Sequence, residues 1–309
     1  MIRQRILVTG ASGFVGAAVA RQLVSQGREV ALMLRETSDT RRIADILNKV
    51  TIIRADLSDM SAAKGLIASF SPEAVAHLAW TGVKGADRND HAQADNIPAT
   101  VALYHAAREA GCRRFVGLGS QAEYGPCAGR SDETVPTRPT TVYGAAKLST
   151  FWLLDRLAAA DGLSSAWLRL FSSYGPGDDP SWMIPYLINK LLRGEKPSLT
   201  ACEQRWDYIY VDDAAASVAA LIDGDASGAF NLGSGEAVPL RQVVETIRDL
   251  VDPILPLGFG EVPYRPDQVM HLEANIDRLR NATGWAPKVP LAEGLGRTVD
   301  HYRRAVLAQ

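Results

Sequence analysis

Residues 143–147 read Tyr-Gly-Ala-Ala-Lys. Tyr143 and Lys147 stand four apart, so a helix running through them sets both on one face. A lysine cation near a phenol favours the phenolate. At about 4 Å and an effective dielectric of about 20, two unit charges are worth about 4 kcal/mol. That is roughly enough to bring a phenol pKa of about 10 down by two units, before desolvation is subtracted. Such a pair exchanges a proton with a hydroxyl or carbonyl near neutral pH. The same two residues also describe an ordinary helix surface, so the reading needs company from elsewhere in the chain.

Company comes from LVTGASGFVGAAVA, residues 7–20, where Gly10, Gly13 and Gly16 recur every third residue between an apolar run and a helix-like run. Gly10 allows a sharp turn out of a strand, Gly13 a close approach of backbone to a pyrophosphate, and Gly16 close packing of helix on strand. The helix N-terminus then offers free N–H groups and a positive dipole end to phosphates. The spacing is G-x-x-G-x-x-G rather than G-x-G-x-x-G, and a glycine-rich turn without a ligand is the plainer alternative. A second strand should end beside the adenosine ribose of a bound dinucleotide. The residue there is Arg35, in VALMLRETSDTRR, where an acidic residue would favour NAD. An arginine can pair with a 2′-phosphate, with Arg41 and Arg42 assisting, so NADP is favoured over NAD. A solvated surface arginine is the competing reading.

The elements that must hold these residues alternate. Strands are expected at 5–9, 29–34, 50–54, 74–78, 114–118 and 165–170, with helices at 14–26, 60–70, 97–110 and 144–161. That rhythm implies right-handed crossovers and an α/β fold: a Rossmann-like, doubly wound parallel sheet. After about residue 171, Pro and Gly break the rhythm. A dinucleotide-binding domain is expected over 1–170 plus about 206–232. A smaller C-terminal α/β substrate lobe is expected over 171–205 and 233–309. With 309 residues, 47% apolar and 22% charged, the chain has room for two lobes and an ordinary globular composition. A net charge of −2 gives no basic surplus for nucleic acid or anionic lipid. Cys112, Cys127 and Cys202 fit neither a disulfide framework nor a zinc site, and the five histidines lack ligand spacing, so no metal is expected. MIRQRILVTG shows no signal-peptide pattern and no apolar run is long enough to span a membrane, so a cytoplasmic protein is expected.

Taken together, these motifs resemble the extended short-chain dehydrogenase/reductase family, in its branch of nucleotide-sugar epimerases, dehydratases and reductases. The likeness covers nearly the whole chain. TGASGFVG resembles the family's cofactor turn, which adds Ser12, Phe14 and Val15 to the three glycines. ADLSD is similar to its adenine-contacting segment, implying Asp56 and Leu57. HLAW resembles the segment beside the cofactor's phosphates and ribose, implying Leu78, Ala79 and Trp80. Asn96 with Thr100 matches an N-x-x-x-T helix. GLGSQAEYG resembles the catalytic Ser/Thr strand end, placing Ser120 there, and RLFSSYGPG is similar to R-x-F-N-x-Y-G-P. The resemblance implies that Tyr143 is the acid/base, that Lys147 holds the nicotinamide ribose and tunes Tyr143, and that Ser120 bonds the reacting oxygen. Hydride would pass between nicotinamide and a sugar carbon.

Departures from the family help to choose a reaction. Its 4,6-dehydratases carry an Asp-Glu pair where this chain has Gln121 and Ala122, and neither can trade a proton as a carboxyl does. Gln121 is left to bind a sugar hydroxyl or to pack. Ser172 stands where relatives have Asn. In QRWDYIYVDD, Trp206 replaces an arginine that meets the nucleotide diphosphate, with Arg205 one position earlier. Trp206 reads equally as a stacking platform or as core. Arg265, in YRPDQVMHL, matches another diphosphate arginine, and Gln268 replaces the acid often found after it. The implied function is an NADPH-dependent 4-ketoreductase of a nucleotide-activated 4-keto-6-deoxyhexose. The alternative is a nucleotide-sugar 4-epimerase that retains NAD. A non-catalytic nucleotide sensor on the same fold is the third possibility. The family leads to the expectation of a homodimer.

Overall fold

The computed structural model describes residues 4–127, 129–265 and 268–307. In chain order the large unit holds β1 (Arg5–Thr9), α1 (Phe14–Ser25), β2 (Glu29–Leu34), β3 (Thr51–Arg54), α2 (Ser61–Phe70), β4 (Ala74–His77), α3 (Asn96–Glu109) and β5 (Arg114–Ser120). Then come β6 (Arg130–Ser131), α4 (Val142–Asp161), β7 (Ser164–Leu170), β8 (Ser173–Tyr174), α5 (Met183–Leu192), β9 (Arg205–Asp207), β10 (Ile209–Tyr210) and α6 (Val211–Ile222). The chain closes with β11 (Gly228–Leu232), β12 (Ala237–Pro239), α7 (Leu240–Val251), β13 (His271–Ala274), α8 (Asp277–Thr283) and α9 (Leu291–Leu307).

Seven strands form one sheet in the order β11-β7-β5-β4-β1-β2-β3, with every neighbouring pair parallel. This is the Rossmann-like sheet expected from the strand-helix rhythm. Both faces are covered, so the strands need no polar face and read as continuous apolar runs. Side chains alternate across the pleat. Ile6 and Val8 face α1 and α6, while Leu7 faces the layer of α2, α3 and α4. A second cluster of strands, ordered β12-β9-β13-β6, is short and mixed in direction. β6 leaves the segment between β5 and α4 to pair with β13. Tyr174, Tyr210, Leu187, Val243 and Val299 belong to a separate core built on α5, α7 and α9.

Candidate active site

Strand order reverses between β1 and β4, the switch point beside which open α/β sheets bind ligands at the carboxyl ends of their strands. Gly10 lies there with φ +76°, and a Cβ on it would come 2.5 Å from the Ala79 nitrogen. A Cβ on Gly16 would come 2.1 Å from the Gly10 carbonyl oxygen. Gly13 caps α1 without a side chain, and its N–H donates to Gly10 O at 2.9 Å. Three Cβ-free positions at the N-terminus of a twelve-residue helix make a cradle lined by backbone, which fits a dinucleotide pyrophosphate. Ser12 and Phe14 are half-buried beside it and Val15 is buried.

Beyond β2, Arg41 is engaged by Asp39, and Arg42 donates to Gly177 O at 2.9 Å and to Ser12 O at 3.4 Å. The exposed Arg35 guanidinium has no hydrogen bond among the described residues; only its backbone groups are engaged, the N–H by Ser38 Oγ and the carbonyl by Ser38 and Arg54. Hydrogen bonds from Ser58 hold the Asp56 carboxyl below its usual range, and the Arg35 charge adds to this. Leu57 packs at the edge of the core under α2 and α3.

The residues that the motifs single out for proton transfer meet at the carboxyl end of β5. Thr141 starts α4 by accepting the Gly144 N–H at 3.1 Å, which puts Tyr143 in the first turn and Lys147 one turn on. Ser120, Tyr143 and Lys147 are all buried. The Ser120 hydroxyl accepts the Ala122 N–H at 3.2 Å and lies against the Tyr143 phenol. Lys147 donates to the Leu118 carbonyl, with its ammonium 3.8 Å from the Trp80 ring centre and 6.0 Å from that of Tyr143. Burial pushes Lys147 down to about 7, opposed by Glu123. Burial also pushes the Tyr143 phenol up, against downward pulls from Ser120 and Arg88. Spacing alone predicts that Lys147 brings the phenol down. The difference arises because both charged forms lose their hydration and the ammonium is turned to Leu118 O. Tyr143 therefore keeps its proton in this state and presents a hydrogen-bond donor.

Three residues that sequence reasoning missed surround this trio. Arg88 sits 4.7 Å from the Tyr143 ring centre. Glu123, fully buried, accepts the Ser120 N–H at 2.9 Å and the Trp167 indole N–H at 2.8 Å. Its other oxygen takes Arg169 Nε at 2.8 Å, and Arg169 continues to the Tyr124 hydroxyl at 2.9 Å. A charged residue inside the apolar run SSAWLRLF is costly unless paired, and Arg169 carried that signal. His77 lies between Thr9 Oγ1 at 2.8 Å and Thr100 Oγ1 at 2.9 Å, and burial pushes it down to about 3, so it stays neutral.

Other candidates fall in varied places. Leu78 and Ala79 form the turn against Gly10. Trp80 spends its N–H on Gln93 Oε1 at 2.9 Å and covers Lys147. Asn96 accepts the Thr81 N–H at 2.9 Å and donates to Gln93 O at 3.2 Å, so its amide organises the loop after β4. Gln121 is half-buried beside Ser120, and Ser172 is half-buried with its carbonyl taken by Ile209 N–H at 2.8 Å. Arg205 donates to Ala237 O at 2.6 Å and Trp206 to Val269 O at 2.9 Å, so both spend donors on the backbone of the small sheet. Trp206 also packs against two of the cores, the surroundings of a core residue. Arg265 is exposed, and residues 266–267 of its segment lie outside the described residues.

Residues 6–233, which span the glycine turn, the trio and all seven strands, match the NAD dependent epimerase/dehydratase family. The chain belongs to that family. A UDP-glucose 4-epimerase of Mycolicibacterium smegmatis is 31% identical over 97% of this chain and 98% of its own length. A dTDP-glucose 4,6-dehydratase of Escherichia coli is 27% identical over 96% of this chain and 92% of its own. The structure of a Thermus thermophilus UDP-glucose 4-epimerase complexed with NAD superposes with a TM-score of 0.87 at 28% identity, covering 98% of this chain and all of that one. The resemblance read from the motifs thus holds, and the chain is an enzyme of the epimerase/dehydratase family. These relatives do not single out a 4-ketoreductase.

Proposed function

We propose that this enzyme acts on a nucleoside-diphosphate sugar and inverts its C4 carbinol through a 4-keto sugar, with a nicotinamide dinucleotide held throughout. The observation that carries the reading is the buried pairing of Ser120 and Tyr143 at the end of β5, with no carboxyl at 121 or 122. The glycine cradle, Asp56 and the turn at Leu78–Trp80 would hold the dinucleotide, which supplies a hydride acceptor and donor when bound. Tyr143 Oη would pass a proton to and from the C4 oxygen, with the Ser120 hydroxyl bonding the same oxygen. Lys147, under Trp80, would meet the ribose and add positive charge. The missing carboxyl pair leaves nothing to eliminate water, which separates this site from a dehydratase. The large sheet unit would bind the dinucleotide, and the small one would bind the sugar nucleotide, with Arg265 toward its diphosphate. Trp152 and Leu153, both exposed on α4, support a homodimer through the helices of the large unit. We place the enzyme in the cytoplasm.

Arg35 favours a second reading. Its unengaged guanidinium stands where an acidic residue would hold a ribose diol, which suits NADP and a 4-ketoreductase of a 4-keto-6-deoxyhexose. One experiment separates the two. The purified protein is denatured, the released nucleotide is weighed by mass spectrometry, and the native protein is mixed with UDP-glucose. NAD near one per subunit with conversion to the C4 epimer supports the epimerase. An empty protein that oxidises NADPH with a nucleotide 4-keto-6-deoxy sugar supports the reductase. A protein that does neither, and whose Tyr143→Phe variant keeps ligand binding, would be a sensor.

A further inference from the structure

Arg88 lies on the short turn Gly85–Asn89 in the segment after β4. Its guanidinium stands 4.7 Å from the Tyr143 ring centre, beside the buried cluster of Ser120, Tyr143 and Lys147 rather than at the glycine cradle. Among the described residues no carboxylate forms an ion pair with it, and its Nε is buried without a hydrogen-bond partner. A buried N–H on a cation left without an acceptor is unfavourable, so the arrangement is stabilised by whatever brings one.

The side chain is not there by slack in the loop. The residue before it is fixed by Gln93, which donates to the Asp87 carbonyl at 2.8 Å. The residue after it is fixed by the Val142 N–H, which donates to Asn89 Oδ1 at 3.2 Å and so joins the turn to the start of α4. Lys84, the other cation of the segment, is already paired with Asp179. Arg88 is thus the cation that the fold holds over the phenol and leaves without a counter-charge.

We propose that Arg88 is a specificity-determining residue that reads a carboxylate on the sugar ring, so that the preferred substrate is a nucleoside-diphosphate hexuronate. A guanidinium presents donors in a planar fork that matches two carboxylate oxygens. A neutral hydroxymethyl group offers one weak acceptor and leaves the charge uncompensated. The proposal rests on the nucleotide-sugar reading above and adds the class of sugar.

The test is calorimetric binding of two matched sets of ligands, the uridine, thymidine, cytidine, adenosine and guanosine diphosphate glucoses and the corresponding glucuronates. Wild type should bind the glucuronate at least tenfold more tightly than the glucose that carries the same base. In Arg88→Gln that ratio should fall to about one, while Arg88→Lys should keep part of it. Thermal unfolding of each variant confirms folding. An equal ratio in wild type, or an unchanged ratio in Arg88→Gln, overturns the proposal and leaves the nucleotide-sugar reading standing. An equal loss for both sugars in Arg88→Gln assigns the arginine to the diphosphate and also overturns it. Failure of every nucleotide sugar to bind wild type overturns the functional reading and this inference with it.

Discussion

Gly10 and Ala79 leave neighbouring strands and touch: a methyl group on Gly10 would lie 2.5 Å from the Ala79 nitrogen. The neighbour is backbone, so it has no rotamer by which to yield. The φ of +76° adds the strain of an L side chain in a left-handed conformation. Gly10→Ala should therefore lose about 2 kcal/mol or more of stability and should purify without dinucleotide. Urea unfolding and the nucleotide content of the denatured variant check both halves. A variant that retains wild-type stability and cofactor would show that the two turns move apart freely.

Tyr143→Phe removes the hydroxyl proposed to carry the proton and leaves the ring in its place against Trp80. Turnover should fall by about 10²–10⁴-fold, the range general acid–base residues contribute. Bound dinucleotide and thermal midpoint should stay near wild type. Steady-state kinetics beside a thermal melt reads this, and a loss under tenfold would move the proton to another group.

Lys147 goes from 10.5 in the unfolded chain to about 7 when buried. Between those values the unfolded chain binds a proton that the folded one does not, so this group's contribution favours folding increasingly as pH rises through the window. It is lost again as pH falls toward 7. Lys147→Met abolishes the dependence. The cofactor-free wild type should gain on the variant by roughly 1 kcal/mol per pH unit from pH 7 upward. Urea midpoints of both proteins at several pH values measure the gap, and parallel curves would show that Lys147 stays charged when buried.

Glu123 and Arg169 form an ion pair with side chains 0% and 3% exposed. Glu123→Ala leaves the arginine buried without its partner and should cost about 3–5 kcal/mol. It also frees the Ser120 N–H and the Trp167 indole. The double variant Glu123→Ala, Arg169→Met should recover part of the loss. Urea unfolding of the cycle decides this, and additive losses would mean the pair is not coupled.

The sheet and the trio were legible for one reason. A parallel strand buried on both faces is a compact apolar run, and a phosphate cradle needs glycines at fixed places, so both leave local marks. Gly10, Gly16, Tyr143 and Lys147 could each be found from neighbours within a helical turn or two. The pairing of Glu123 with Arg169 could not, since they are 46 residues apart and meet only where the turn after β5 passes the end of β7. Arg88 left no mark because its position depends on Gln93 and Val142 holding the turn around it. Arg205 and Trp206 show the converse. They sit in a family-like segment, yet their donors go to the small sheet, because a short mixed sheet draws hydrogen bonds from the side chains around it. The sequence also overstated the effect of Lys147 on Tyr143, since charge proximity is visible in spacing and desolvation is not.

Arg42 bonds Ser12 O in the glycine turn and Gly177 O in the segment that leads into α5. One side chain thus ties the glycine turn, where a dinucleotide is proposed to sit, to the segment that enters the smaller unit. In that reading, a ligand that orders either end would lower the cost of ordering the other. Linkage makes the exchange reciprocal: whatever factor the dinucleotide adds to sugar-nucleotide affinity, the sugar nucleotide must return to the dinucleotide. In the function proposed here, each ligand would then be held more tightly in the presence of the other, which suits a dinucleotide kept from one turnover to the next.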